Sequence, residues 1–267
     1  MRTRAKATVF LGGGRITSAL VAGLRLAKYD EPIVVRDLHL SKLRELKKQY
    51  GVTVEPQLHQ AVEQAGLLII AVRPDSVSEL LQKIKINSPL TVVSLAAGVP
   101  IFKLRARLGP PVRWARAMPS PVCRVGCGLT ALTFDHGFSP AAKSKVKRLF
   151  QKVGSVLEIP EHQFDAFTVT FSPSHGFHAL AVLATGGERL GLNRKNALTV
   201  AAHALADSIL SWREGEEPLD ELVQEAATPG GTAAATMQAT DASGYKRTIE
   251  KGLRAGIARA RKNGKLI

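Results

Sequence analysis

Three consecutive glycines, Gly12, Gly13 and Gly14, stand between a short apolar run at 8–11 and a segment in which apolar residues recur every four positions. Glycine lets a backbone turn tightly and approach a ligand closely because it carries no Cβ. A pyrophosphate held there would meet the positively polarised N-terminus of the following helix. This order of strand, glycine turn and helix predicts a dinucleotide-binding site; the alternative is a tight turn without a ligand.

The motif has the spacing G-x-G-x-x-Thr, with Thr17 in the place of the usual third glycine. That third glycine normally allows the helix to pack closely on the strand. We therefore expect either Thr17 itself, or Ala19 and Gly23 further along the helix, to provide the close packing.

Arg36 and Asp37 follow the glycine turn at the distance, about 20 residues, where the coenzyme ribose is read. An acidic residue there binds the 2′-hydroxyl of NAD, whereas an arginine accommodates the 2′-phosphate of NADP. Asp37 thus favours NAD, and Arg36 with Lys42 nearby favours NADP. Because the surroundings are basic, we predict NADP(H) as the coenzyme, with NAD(H) as the alternative. The alternative is that Arg36 and Asp37 form an ordinary exposed pair at a strand end.

The first half of the chain alternates apolar runs with helix-like segments. Strands are predicted at 8–11, 33–36, 67–72, 91–95, 112–115 and 155–159, and helices at 15–26, 41–50, 58–64, 75–84, 101–108 and 140–152. The strands are continuously apolar, as expected when helices cover both faces of a parallel sheet. We therefore predict a doubly wound α/β domain at 1–159, with its ligand crevice at the carboxyl ends of the strands.

The predicted loops at those carboxyl ends carry small residues or prolines, which leave room for a coenzyme. The residues expected to bind it are Gly12, Gly13, Gly14, Arg15, Ile16, Arg36, Ala71, Val72, Arg73, Pro74, Ala96, Ala97, Gly98 and Met118. No metal site is predicted.

From 160 onward the pattern is helical and rich in alanine, which predicts an all-α domain at 160–267. Helices are expected at 164–171, 177–190, 194–213, 219–226 and from 232 to the end, with a break at Gly244. Ala197, Ala201, Ala204 and Ser208 form a stripe of small residues on one helix, which permits close helix–helix contact. Packing is the expected role of this stripe.

Composition narrows the function classes. The chain has 267 residues, 45% of them hydrophobic, and a formal net charge of +15. No apolar run approaches the roughly 20 residues that span a bilayer, and the basic start at 1–6 lacks the features of a signal peptide. The basic residues are dispersed and not interleaved with aromatic ones, so we expect no nucleic-acid partner. With only two cysteines, a reducing cytoplasmic location is expected.

The same loops resemble the pyrroline-5-carboxylate reductase family. The matching stretches are FLGGGRI at 10–16, AVRP at 71–74, SLAAGV at 94–99, RAMP at 116–119 and TPGGT at 228–232, and the resemblance runs from about 9 to about 261. It implies a Rossmann-like N-terminal domain and an all-α C-terminal domain through which a homodimer or higher homo-oligomer forms. It also implies reduction of a cyclic imine, such as 1-pyrroline-5-carboxylate to proline, by NADPH or NADH.

The substrate pocket departs from the family pattern. Where the family has serine-glycine-serine-glycine-proline-alanine, this chain has SPSHGF at 172–177, so Pro173 removes an amide donor. The threonine that usually carries a hydroxyl near the imine nitrogen is matched by Ala233. We expect Thr232, His175 and Ser174 to be the catalytic groups, because a hydroxyl or an imidazole can orient or protonate that nitrogen. The imidazole of His178 could replace the missing threonine in the same way, and a structural role at a helix start is the alternative for both histidines.

Three functional interpretations follow. The chain is a reductase acting on a different or larger imine, or pyrroline-5-carboxylate reductase with a divergent pocket, or a coenzyme-binding homologue that no longer catalyses and instead senses redox state or binds a partner.

Overall fold

The computed structural model describes residues 6–267, so the first five residues of the basic start lie outside the described part. The chain divides into two compact units. The first contains the residues up to Phe171 together with Ala255–Ile267, and the second is Ser172–Arg254. The sequence-based division at 159/160 stays a prediction.

The first unit is built on an eight-stranded sheet of order β3-β2-β1-β4-β5-β6-β7-β8. The strands are β1 (Ala7–Leu11), β2 (Ile33–Arg36), β3 (Thr53–Val54), β4 (Ala65–Ile70), β5 (Leu90–Ser94), β6 (Val112–Pro119), β7 (Gly128–Phe134) and β8 (Gly154–Glu158). Every neighbouring pair is parallel except β6 and β7. Strand order reverses between β1 and β4, which places a crevice at their carboxyl ends.

Helices cover both faces of this sheet. They are α1 (Arg15–Leu26), α2 (Leu40–Tyr50), α3 (Leu58–Glu63), α4 (Pro74–Gln82), α5 (Ile101–Arg107), α6 (Pro140–Gln151) and α7 (Phe164–Thr170). One apolar cluster joins Phe10 to α1, α2 and α6, and the other joins Val9 and Leu11 to α3, α4 and α5. Because both faces are buried, alternate residues of one strand enter different cores. The doubly wound, Rossmann-like prediction is confirmed.

Two strands were not predicted, and one is longer than predicted. The predicted end of β6 at Ala115 and the predicted loop position of Met118 are wrong: β6 runs on to Pro119, and Met118 pairs with Ala131 of β7. A 3₁₀ turn at Pro121–Val125 then leads into β7. Pairing between neighbouring strands, which local periodicity does not report, extends β6 and creates β7. The third strand, β3, is two residues long and carries no detectable pattern.

The second unit is helical. Its helices are α8 (Ser174–Arg189), α9 (Arg194–Glu214), α10 (Leu219–Ala226) and α11 (Thr232–Ala242), followed by α12 (Tyr245–Gly264), which continues into the first unit. The break at Gly244 is confirmed, with a φ of +81°. The start of α8 was predicted at 177, but the helix begins three residues earlier because Pro173 fits a helix start.

Only part of the small-residue stripe is buried. Ala197 and Ala201 pack with Ala184, whereas Ala204 and Ser208 are exposed. Exposed apolar side chains are common on these helices, including Val182, Leu183, Ile209, Leu210 and Trp212. Within the described residues, no helix combines the length and apolarity that a bilayer crossing demands.

Helix α1 packs closely on the 3₁₀ turn at Gly23, where an added Cβ would overlap the carbonyl oxygen of Cys123. We expect Gly23→Ala to lower the free energy of unfolding by about 1–3 kcal/mol, because backbone rather than a flexible side chain must move. Urea denaturation measures the change.

Gly252 of α12 is the matched control, since an added Cβ there meets nothing within 4 Å. Gly252→Ala should raise stability by about 0.4–1 kcal/mol through the unfolded state. Equal changes at the two positions would contradict the packing described for α1.

Candidate functional site

The glycine turn joins the carboxyl end of β1 to α1 beside the end of β4. Gly12 donates its N–H to the carbonyl of Arg36 at 2.7 Å, and Ala71 donates to the carbonyl of Leu11 at 2.8 Å. Gly12 has a φ of +115°, and an added Cβ would lie 2.6 Å from the carbonyl oxygen of Ala71. Both its conformation and its surroundings therefore require glycine.

Thr17 takes over one role of the missing third glycine. Its hydroxyl donates to the carbonyl of Gly12 at 2.6 Å and is fully buried, so it closes the turn from the first turn of α1. The close approach that a third glycine usually allows occurs instead at Gly23, against Cys123. Thr17 thus closes the turn, and Gly23 provides the close packing of the helix.

Asp37 is bonded to the glycine turn. Its Oδ2 accepts the N–H of Gly13 at 2.7 Å, and its Oδ1 accepts the N–H of His39 at 2.8 Å. Burial raises the pKa of this carboxyl, but these amides, the His39 ring and Lys42 outweigh it and leave the pKa below its ordinary value. Arg36 Nε donates to the carbonyl of Pro56 at 3.4 Å rather than to Asp37. Asp37 and Arg36 are therefore not an ordinary exposed pair.

A groove of about 960 Å³ lies at the carboxyl ends of β1, β2 and β4. The predicted coenzyme residues that line it are Gly12, Gly13, Gly14, Arg15, Arg36, Ala71, Val72 and Arg73. Its charged lining is mostly basic: it includes Arg15, Arg36, Lys42, Arg73 and Arg124, against Asp37 and Glu45. Such a surface suits a ligand with several negative charges. Sequence reasoning missed Arg124, which only the packing of the 3₁₀ turn against α1 brings here.

The other predicted coenzyme residues do not line this groove. Ile16 packs against the core, and Pro74 begins α4. Ala96, Ala97 and Gly98 form the loop after β5, and Met118 lies in β6, so they follow the groove along the same edge of the sheet.

The predicted catalytic residues lie in the second unit and are exposed. Ser174 opens α8, and its hydroxyl is 2.7 Å from that of Ser172. The N–H of His175 donates to the carbonyl of Ser172 at 3.1 Å. Thr232 is the first residue of α11. The N–H groups of Ser174 and His175 are therefore already bonded within their own turn.

Comparison with known proteins agrees with this architecture. Residues 8–98 match the family described as NADP oxidoreductase coenzyme F420-dependent, and 161–263 match pyrroline-5-carboxylate reductase dimerisation. The pyrroline-5-carboxylate reductase of Synechocystis sp. is 31% identical over 261 residues, covering 96% of this chain and 97% of that protein. The chain belongs to the pyrroline-5-carboxylate reductase family.

Solved structures of this family share the fold across both units. The pyrroline-5-carboxylate reductase of Coxiella burnetii is 26% identical with a TM-score of 0.85, covering 97% of this chain and 98% of that one. The pyrroline carboxylate reductase of Plasmodium falciparum, solved with NADP bound, is 21% identical with a TM-score of 0.88, covering 98% and 99%. The resemblance read from the loops is confirmed.

Asp37→Ala removes the acceptor of two backbone amides, Gly13 and His39. We expect the free energy of unfolding to fall by about 1–3 kcal/mol near pH 7, since partly buried donors lose their partner. Urea denaturation measures the loss, and Asp30→Ala, at an exposed carboxylate, should change stability by less than about 0.5 kcal/mol.

The contribution of Asp37 to the free energy of unfolding depends on pH with a definite sign. Because the pKa of Asp37 is lowered on folding, its ionised form adds stability above the ordinary carboxyl pKa of about 3.9, and this contribution disappears as the pH falls through the lowered value. The difference between the wild type and Asp37→Ala should therefore stay constant from about pH 7 to about pH 5 and narrow in stronger acid. A difference that widened in acid would contradict the bonding described for Asp37.

Proposed function

We propose that this chain is an NAD(P)H-dependent reductase that reduces the C=N bond of a cyclic imino acid, such as 1-pyrroline-5-carboxylate to proline. The observation that carries the proposal is the basic groove around the glycine turn. The turn leaves the backbone bare, and the start of α1, with no side-chain cap on Gly14, presents N–H groups to an anion. Membership of the reductase family supports the same activity.

NADP(H) is the coenzyme that the groove favours. Both oxygens of Asp37 accept hydrogen bonds from the protein, while Lys42 Nζ lies 4.0 Å from Oδ1 and Arg36 lines the same groove. A 2′-phosphate gains from such cations, and an arginine can bind it with two hydrogen bonds. The NADP bound to the Plasmodium falciparum relative and the description of the matching family support this preference.

The reaction requires the chain to bind the substrate, to orient it and to protonate the imine nitrogen. When bound, the reduced nicotinamide supplies the hydride that the imine carbon accepts. Ala96, Ala97, Gly98 and Met118 follow the groove along the sheet edge, and we assign them to the nicotinamide side. The small side chains at 96–98 leave space for a ring and its substrate.

Thr232, His175 and Ser174 are our candidates for the substrate side. The hydroxyl of Thr232 would orient the imine nitrogen, the imidazole of His175 would donate its proton, and Ser174 would meet the substrate carboxylate. Histidine is suited to proton donation because it titrates near neutral pH. In this assignment, His175 takes the proton-donating role that the family's threonine leaves open at Ala233.

The second unit is the proposed dimerisation surface. Its match to the dimerisation family supports homo-oligomerisation, and its exposed apolar side chains on α8 and α9 provide a surface to cover. A dimer or higher assembly through these helices is therefore part of the proposal.

The non-catalytic alternative, a coenzyme-binding homologue with a sensing role, is not favoured. The relatives that match over nearly the whole chain are named as reductases. No observation in the described residues points to a separate partner.

NADPH oxidation at 340 nm tests the proposal directly, with pyrroline-5-carboxylate and a panel of cyclic imines and 2-oxo acids. We expect turnover of at least one cyclic imino acid and a higher kcat/KM with NADPH than with NADH. Silence with every substrate and both coenzymes would overturn the reductase assignment.

Lys42→Glu refines the coenzyme preference. It places a negative charge beside Asp37, so kcat/KM with NADPH should fall on the order of tenfold while that with NADH changes little. Lys48→Glu, on the same helix but outside the groove lining, is the matched control. An equal fall with both coenzymes would contradict the assignment of Lys42 to the 2′-phosphate.

Thr232→Ala and His175→Ala test the catalytic assignment. Loss of the proton donor in His175→Ala should lower kcat by roughly 10²- to 10⁴-fold and change the pH profile, with the KM for the coenzyme unaltered. Loss of the orienting hydroxyl in Thr232→Ala should lower kcat without changing the pH profile. Thr236→Ala, one turn further along α11, is the matched control for Thr232, and His178→Ala tests the other histidine of α8. A His175→Ala variant with normal kcat and an unchanged pH profile would assign the proton to another group.

A further inference from the structure

A buried arginine lies directly behind the loop that follows β5. Arg116 of β6 is only 2% exposed and pairs in register with Ser94, the last residue of β5. Its guanidinium lies 4.2 Å from the ring centroid of Phe164 and donates from Nη1 to Glu161 Oε1 at 2.8 Å. Asp165 Oδ1 lies 3.7 Å from Nη2. A charge this deeply buried requires such partners.

The same carboxylate oxygen also holds the start of α5. Oε1 of Glu161 accepts the N–H of Ile101 at 3.1 Å, and α5 begins at Ile101 without a side-chain cap from its own N-cap residue, Pro100. Glu161 therefore caps this helix from 60 positions along the chain. One oxygen thus fixes both the buried arginine and the end of the loop at 95–100.

The C-terminal part of α12 holds the other side of this loop. The side-chain amide of Asn263 donates to the carbonyl of Ala97 at 3.3 Å, and Lys103 Nζ donates to the carbonyl of Gly264 at 2.7 Å. Gly98, with a φ of +75°, packs so closely on Ala260 that an added Cβ would overlap its carbonyl. The loop is therefore constrained from two directions by groups distant in sequence.

Stability alone does not account for the arginine cluster. Arg116 Nε and Nη2, Glu161 Oε2 and Asp165 Oδ1 are buried, and none of them makes a hydrogen bond within the described part of the chain. Replacing a buried ion pair by apolar residues of similar size is often neutral or stabilising. What this pair provides that an apolar pair could not is an acceptor, fixed in place, for the N–H of Ile101.

We propose that Arg116 and Glu161 are positioning residues: they hold the loop that carries Ala96, Ala97 and Gly98 in the conformation that the nicotinamide and substrate need. This inference rests on the proposed function for the role of that loop. Arg116 orients Glu161, Glu161 fixes the start of α5, and α5 fixes the loop. Neither side chain touches the reacting atoms.

Two sets of substitutions separate positioning from packing, and both include Asp165→Asn so that no carboxylate is left facing the place of Arg116 without a cation. Arg116→Met with Glu161→Leu removes the acceptor of Ile101, whereas Arg116→Met with Glu161→Gln keeps an acceptor oxygen. Both variants should melt within about 5 °C of the wild type, since the buried charges of the cluster are removed together. We expect the leucine variant to lose roughly 10- to 100-fold in kcat with the KM for NADPH unchanged, because a small misplacement of reacting groups is costly.

The glutamine variant should recover most of that loss. Hydrogen exchange of the peptide 95–103, measured without coenzyme or substrate, should be faster than in the wild type for the leucine variant and close to the wild type for the glutamine variant. Glu161→Asp is the second test if the leucine variant does not fold, because it keeps the charge for Arg116 but withdraws the carboxylate from Ile101. It should show the same faster exchange and lower kcat.

The ion pair of Arg105 with Asp135 is the matched control, since it holds the far end of α5 at 2.6 Å. Arg105→Met with Asp135→Asn should leave kcat and loop exchange unchanged. Unchanged exchange and kcat in the leucine variant, or in Glu161→Asp, would overturn the positioning role, as would equal effects in the control. If the wild type itself reduces no imine, the proposed function fails, and the exchange measurement still decides whether Glu161 holds the loop.

Discussion

The close approach of two strand ends at Gly12 is the constraint on which the rest of this site depends. The chain leaves β1 with a positive φ and passes so near the carbonyl of Ala71 that no side chain fits between them. Because of this contact, β1 and β4 end side by side, α1 starts over the sheet edge, and the groove opens between them. Thr17 and Gly23 then hold α1 at the depth that the turn sets.

Electrostatics at the groove follow from the same turn. The Gly13 N–H donates to Asp37 and holds the carboxylate against the backbone. This amide of the glycine motif is therefore not available to a ligand. The charge of Asp37 is thereby compensated within the protein, and the cations around the groove remain available to a ligand. A part of the overall excess of basic residues lies at this groove, in Arg15, Arg36, Lys42, Arg73 and Arg124.

The sequence predicted what depends on neighbouring residues and missed what depends on distant ones. Buried parallel strands are continuously apolar, so most of the sheet and its helices were found, with α1 and α10 at their observed bounds. The strand β7 and the extension of β6 through Met118 arise from pairing and were missed. The glycine turn is recognisable from its sequence. The place of Arg124 in the groove and the pairing of Arg116 with Glu161 depend on residues that only folding brings together. The assignment of the substrate-side residues depends on the family pattern, and this chain departs from that pattern at 172–177.

Calorimetric titration of the purified protein with NADPH tests the central claim, that the glycine turn holds a dinucleotide, most directly. We predict one binding site per chain and an accompanying rise in the melting temperature, because a ligand that binds only the folded state stabilises it. No heat and no melting shift with either NADPH or NADH would contradict the account.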